Sequence, residues 1–174
     1  MRRILTLVGL CLLLFLSGCA SLLAPTYREE MQVKTDAYEP TISILGVPTP
    51  IGDKQGSGCY IRTIIDKKSH AVSNQIYTVM IYTTSGWRFY NAAYFLGGES
   101  AGVLEISRDF NIFSGVGVYK EIFAVELPDG YLEKHREGFS IKVDASKWEG
   151  VVLPISAKMV TDQLEAIEQN IGSR

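Results

Sequence analysis

Ser100 lies at the centre of Gly98-Glu99-Ser100-Ala101-Gly102, a spacing in which small flanking residues can expose a serine hydroxyl as a nucleophile. Asp109 or Asp129, and then His135, follow it in an order that could supply an orienting acid and a general base. Such chemistry needs a strand before the serine and a helix after it, so that a strained turn presents the hydroxyl and aims backbone N–H groups at an oxyanion. Here Val103-Leu104-Glu105-Ile106-Ser107 follows, alternating like a strand, and no Gly-rich oxyanion loop precedes the serine. The string therefore reads as a Gly-Gly hairpin turn between two strands. Hydrolysis through Ser100, or through a carboxylate pair drawn from the 19 acids, is the second function class.

In its spacing the string resembles the nucleophile elbow of carboxylesterases, although the chain is short for a parallel sheet with crossovers. Metal chemistry has less support. His70 and His135 sit in Lys68-Ser69-His70 and Lys134-His135-Arg136, outside any metal-ligand spacing, and read as solvated surface histidines. Gly115-Val116-Gly117 lacks the third glycine and following helix of a dinucleotide loop, and Gly56-Ser57-Gly58 lacks the lysine of a phosphate loop. Both read as turns, and neither a cofactor nor a metal is expected.

The N-terminus carries a different chemistry. Met1-Arg2-Arg3 is cationic, Ile4 to Leu16 is apolar but for Thr6 and Gly9, and Ser17-Gly18-Cys19 supplies small residues. This is the pattern of a secretory leader; a membrane span would need about 20 apolar residues. Arg2-Arg3 lacks the surroundings of a twin-arginine signal and reads as ordinary leader charge. Leu16-Ser17-Gly18-Cys19 resembles the lipobox of bacterial lipoproteins. That resemblance implies a diacylglycerol thioether on Cys19, cleavage before it and acylation of the new amino group. Two or three acyl chains, at about 0.8 kcal/mol per buried CH₂, anchor a protein stably. Ala20-Ser21 carries no Asp after the cysteine, so the resemblance implies the outer membrane. The expected organisation is a signal peptide over 1–18, a lipidated tether over 19–26 and one β-rich domain over 27–174.

The whole chain has 174 residues, 47% apolar and 21% charged, with a net charge of -2, which suits one globular domain and not a disordered chain. Removing 1–18 takes Arg2 and Arg3 but no acid, leaving 15 bases against 19 acids and a net charge of -4. That balance argues against nucleic acid and against electrostatic adhesion to anionic headgroups. Cys11 leaves with the leader and Cys19 is lipidated, so Cys59 is unpaired. It reads as a small buried hydrophobe, with an intermolecular disulfide as the alternative.

Period-two alternation and β-branched residues predict strands over 31–35, 41–45, 59–66, 75–83, 87–96, 101–108, 118–127, 139–143 and 151–155. Turns are expected at Val47–Pro50, Gly52-Asp53, Asp66–Ser69, Thr84–Gly86 and Gly97–Ser100. A short helix near 129–136 should be opened by Asp129, and a helix near 156–170 capped by Ser156 and stopped by Gly172. Val160, Leu164, Ile167 and Ile171 give that helix one apolar face to lay on a sheet. The fold class is mainly β, an antiparallel sandwich or partly closed barrel with two helices. Trp87 and Phe89 should share one strand face, and Tyr90 and Tyr94 the other. One face belongs to the core; Trp87, Arg88, Tyr90 and Tyr94 are the candidate partner-binding residues. The leading expectation is a non-enzymatic envelope lipoprotein that binds or assists another envelope protein or a wall glycan. An inhibitor or immunity lipoprotein acting against a wall-degrading enzyme is a third class.

Overall fold

The computed structural model describes residues 28–52, 56–83 and 86–171. The leader, Cys19 and the tether, together with Asp53, the Thr84-Ser85 turn and Gly172, lie outside the described residues. Eleven strands follow in chain order: β1 (Gln32–Thr35), β2 (Thr41–Leu45), β3 (Thr49–Pro50), β4 (Gly58–Asp66), β5 (Val72–Tyr82), β6 (Tyr90–Phe95), β7 (Ser100–Ala101), β8 (Val103–Phe113), β9 (Val116–Glu126), β10 (Gly138–Ala145) and β11 (Val151–Ser156). Helix α1 (Tyr131–Lys134) separates β9 from β10, and α2 (Ala157–Ile171) follows β11.

The strands form two antiparallel sheets. One runs β1-β2-β4-β5-β9-β8, with β3 also paired to β4; the other runs β11-β10-β6-β7. Each strand of an antiparallel sheet can bury one face and leave the other to water, which is why the alternating stretches became strands. The inward residues Ile61, Ile76, Met80, Phe123 and Val125 of the large sheet meet Ala93, Phe95, Ile141, Val143 and Leu153 of the small one in a single core. The sheets face each other as a sandwich and do not close into a barrel.

Helix α2 covers the end of the large sheet that the small one leaves open. Its Ala166 and Ile167 pack on Ile42, Ile44 and Ile65, and Leu164 and Ile171 border the same cluster. The Met159 amide donates to Ser156 Oγ at 3.3 Å, the cap expected there. Polar bonds also hold the helix in place. Buried Gln163 donates from Nε2 to Thr63 Oγ1 at 2.7 Å and to the Ile44 carbonyl at 3.3 Å. Thr63 in turn donates to Asn74 Oδ1 at 2.6 Å, so one chain of bonds joins α2 to β2, β4 and β5.

Four expectations are corrected. The strand expected over 87–96 begins only at Tyr90, because Phe89 has φ 59 and cannot continue an extended chain. The strand expected over 101–108 is split at Gly102, whose carbonyl accepts the Glu126 amide at 3.0 Å, so β7 stays on the small sheet and β8 joins the large one. β8 and β9 run to Phe113 and from Val116, making one long hairpin closed by Ser114 (φ 49) and Gly115 (φ 81), the two positive φ values a two-residue hairpin turn requires. Helix α1 is a single turn entered through Gly130 at φ 69 with no side-chain cap, so Asp129 does not open it.

Truncating the buried bridge tests how far α2 depends on it. Gln163→Ala is expected to lower unfolding stability by about 2–3 kcal/mol, because it leaves two buried partners short of a donor. Urea denaturation measures this; an unchanged midpoint would show that apolar packing alone holds the helix.

Candidate functional site

The strongest polar constellation is one the sequence did not reveal. Glu121 points inward from β9 and is only 3% exposed. Its carboxylate accepts the backbone amides of Arg88 at 2.8 Å and Phe89 at 3.1 Å, the Arg108 guanidinium at 3.4 Å, and the Tyr82 hydroxyl. Burial, reinforced by the hydrogen bond to Glu121, raises the pKa of the Tyr82 phenol. Around this carboxylate the Arg88 guanidinium lies 4.4 Å over the Tyr82 ring, and Trp87 meets Tyr119 edge-on at 5.0 Å. The Arg108 guanidinium and the Lys147 ammonium lie over the Phe89 ring, at 4.5 and 5.0 Å from its centre. Protein donors already engage both oxygens of Glu121, an arrangement suited to fixing the β5–β6 crossover.

The four candidate partner residues do not share a surface. Tyr90 is 3% exposed and stacks on Phe123 at 5.0 Å, whereas Tyr94 is exposed. The expected common face fails because of a β-bulge: Asp144 pairs with Ala92 and Ala145 with Tyr90, leaving Asn91 as an extra residue. That insertion reverses the alternation between Tyr90 and Tyr94. Arg88 is half-buried, and its Nη1 donates to the Tyr90 hydroxyl at 3.3 Å.

Ser100 stands exposed at the end of the β6–β7 hairpin, opposite Tyr94. Gly97 and Gly98 make that turn at φ 109 and 91, and Phe95 N donates to the Glu99 carbonyl at 2.8 Å. A strand and not a helix follows, so the turn has no elbow geometry. Asp109 pairs opposite Lys120 in the long hairpin, and Asp129 lies in the turn before α1. His70 is exposed, but His135 departs from expectation: it is half-buried, stacked on Tyr131 at 3.9 Å, with Nδ1 2.8 Å from the Tyr131 carbonyl. Among the described residues no group of three His, Cys, Asp or Glu gathers around a metal-sized site. Cys59 is free and fully buried, as expected of a small hydrophobe, and burial pushes its thiol from 9.0 up to about 12.

A groove of about 550 Å³ opens between Glu29–Met31, the β2–β3 connection and α2. Met31, Ile61 and Met159 help line it, while Glu29, Glu30, Asp162 and Glu165 give it an acidic character. Lys158 is the one basic residue of the lining, and it is already paired with Asp162 at 2.7 Å. The groove combines an apolar lining with a predominantly acidic charge. No protein-family model, curated protein or solved structure matches this chain.

Two measurements test these assignments. Glu121→Ala strands two half-buried amides and the buried Tyr82 hydroxyl and is expected to cost about 3 kcal/mol of stability in denaturant titrations. A loss below about 1 kcal/mol would show that the crossover holds without its anchor. The Cys59 thiol keeps its proton longer in the folded state, so its contribution is full below pH 9 and is lost as pH rises towards about 12. Stability is therefore expected to fall by up to about 1.4 kcal/mol per pH unit through this group, and Cys59→Ala should flatten the decline. An equal decline in that variant would assign the alkaline loss to the tyrosines.

Proposed function

We propose that this chain is a lipid-anchored protein of the bacterial cell envelope, held at the outer membrane through Cys19, that acts by binding another envelope component. The Leu16-Ser17-Gly18-Cys19 motif supports the anchor. The observation that carries the binding role is the groove beside Glu29–Met31, a short distance along the chain from the tether. Its apolar lining offers surface whose removal from water favours association, and Glu29, Glu30 and Glu165, beside the Asp162–Lys158 pair, select a partner of opposite charge. A protein segment with Lys or Arg beside an apolar stripe matches both features better than a neutral glycan. The Gly98–Gly102 turn has no part in this role.

Metabolic palmitate labelling tests the anchor. Cys19→Ala is expected to abolish the label and release the protein from the membrane fraction; a label that persists would overturn the assignment. Photocross-linking in whole cells from position 165 tests the groove. An adduct that disappears when Glu29 and Glu30 are replaced by Lys is expected, whereas an adduct indifferent to those charge reversals would remove the groove from the proposal.

A further inference from the structure

The β8–β9 hairpin ends in a stretch that water does not favour. Residues 110–118, Phe-Asn-Ile-Phe-Ser-Gly-Val-Gly-Val, contain no charged side chain. Cross-strand partners share a face, so Phe110, Tyr119, Ile112 and Gly117 lie on one side and Asn111, Val118, Phe113 and Val116 on the other. Phe110 is 47% exposed, Ile112 71%, Phe113 40% and Val116 49%, so apolar surface is open on both sides. Phe110 crosses the strand to cover Gly117, where an added Cβ would come within 2.9 Å of its ring. The charges resume together at Asp109 and Lys120, which stand opposite each other. Just inside that level, Trp87 packs edge-on against Tyr119, placing two amphipathic rings at the base of the uncharged tip.

We propose that this tip inserts into the surface of a lipid bilayer as a second contact beside the acyl anchor; the proposal rests on the anchor assigned to Cys19. A partner strand or a second copy would cover one face or one edge of the hairpin, whereas lipid can surround both faces at once. The dimensions suit a shallow contact. Four residues separate Asp109 from the turn, about 14 Å of strand, which reaches through the interfacial layer of one leaflet, where water still meets open backbone groups, and cannot cross roughly 30 Å of hydrocarbon. Trp87 and Tyr119 then fall where tryptophan and tyrosine favour the membrane interface.

The two contacts can also reach one membrane. Arg28 lies 4.5 Å over Tyr60, which pairs with Tyr77, which pairs with Ala124. From that level to Val116 is eight residues of β9, about 27 Å along the strand. The nine steps from Cys19 to Arg28 span at most about 32 Å, so lipids on Cys19 and the hairpin tip can meet the same surface.

A fluorophore at the tip tests this directly. Cys59 is fully buried, so Ile112→Cys in the full-length gene offers an accessible thiol for an environment-sensitive dye. Leu96→Cys is the reference, because Leu96 is 98% exposed on the β6–β7 turn. The protein is purified from the envelope fraction and reconstituted in phosphatidylcholine vesicles containing acyl-chain nitroxide lipids. The label at 112 is expected to shift its emission to the blue and be quenched by the nitroxides, while the label at 96 stays water-like. A water-like label at 112 overturns the proposal. A blue shift without quenching also overturns it, since it would mean that protein, not lipid, covers the tip. Palmitate incorporation measured on the same preparation separates this result from the anchor: if the protein proves unacylated, the label is read in a Cys11→Ser, Cys19→Ser background, where quenching at 112 would sink the anchor and keep the tip.

Discussion

A carboxylate can leave water only where donors replace its hydration, and Glu121 imposes that condition on the middle of this fold. Its donors come from the segment that carries the chain from the large sheet to the small one. The Arg88 and Phe89 amides both point at the carboxylate, and Phe89 takes up φ 59 to do so. A left-handed conformation at a bulky residue costs on the order of 1–2 kcal/mol, which the charge-assisted bonds offset. Tyr90 then enters β6 facing the core, and the extra residue at Asn91 brings the rest of the strand into register with β10. The relation between the two sheets is therefore tied to one buried charge.

Helix α2 is held by neutral hydrogen bonds from Gln163 Nε2, while Gln163 Oε1 is buried without a hydrogen-bond partner among the described residues. Gln163 is fully buried, and its amide reaches both a backbone carbonyl and a threonine hydroxyl. Apolar packing against Ile42, Ile44 and Ile65 would permit the helix to slide; directional bonds to Ile44 and Thr63 select one position. The acidic groove depends on that position, because one of its walls is the face of α2 that carries Asp162 and Glu165. A Cβ at Gly46, in the opposite wall, would come within 3.0 Å of Gln163 Oε1. The glycine therefore keeps the groove wall and the helix in close approach.

Much of the β architecture was legible because burial of one strand face leaves a period-two trace. Thr41–Leu45 was bounded correctly from its pattern, and 59–66 and 151–155 to within a residue at one end. Ser156 and the spacing from Val160 to Ile171 likewise announced α2. What could not be read was any feature whose cause lies elsewhere in the fold. Alternation with Phe123 and Val125 puts Glu121 on the core face, but nothing in the sequence tells that the amides of the crossover will satisfy a carboxylate there. The bulge at Asn91 leaves no mark in composition, yet it separated Tyr90 from Tyr94 and dissolved the expected aromatic surface. His135 gave the signals of a solvated histidine because its neighbours in sequence are charged, while its neighbour in space is the ring of Tyr131.

The long hairpin brings a cost that the rest of the fold does not relieve. β8 is an edge strand with open backbone groups, and its outer half lacks the charges that keep such edges from pairing with other chains. The charges that do occur, Glu105, Arg108 and Asp109, are grouped near the middle of the strand, where Arg108 pairs with Glu105 at 2.6 Å. They guard the base and leave the tip bare. The hairpin also extends past the aromatic packing around Tyr119, so Ile112 gains little from the sandwich it grows out of. A partner seated on one face would still leave the other in water. The interfacial layer of a bilayer can enclose both faces while headgroups and water still reach the open backbone groups of the ribbon, and residues 110–118 bring no charge to desolvate there.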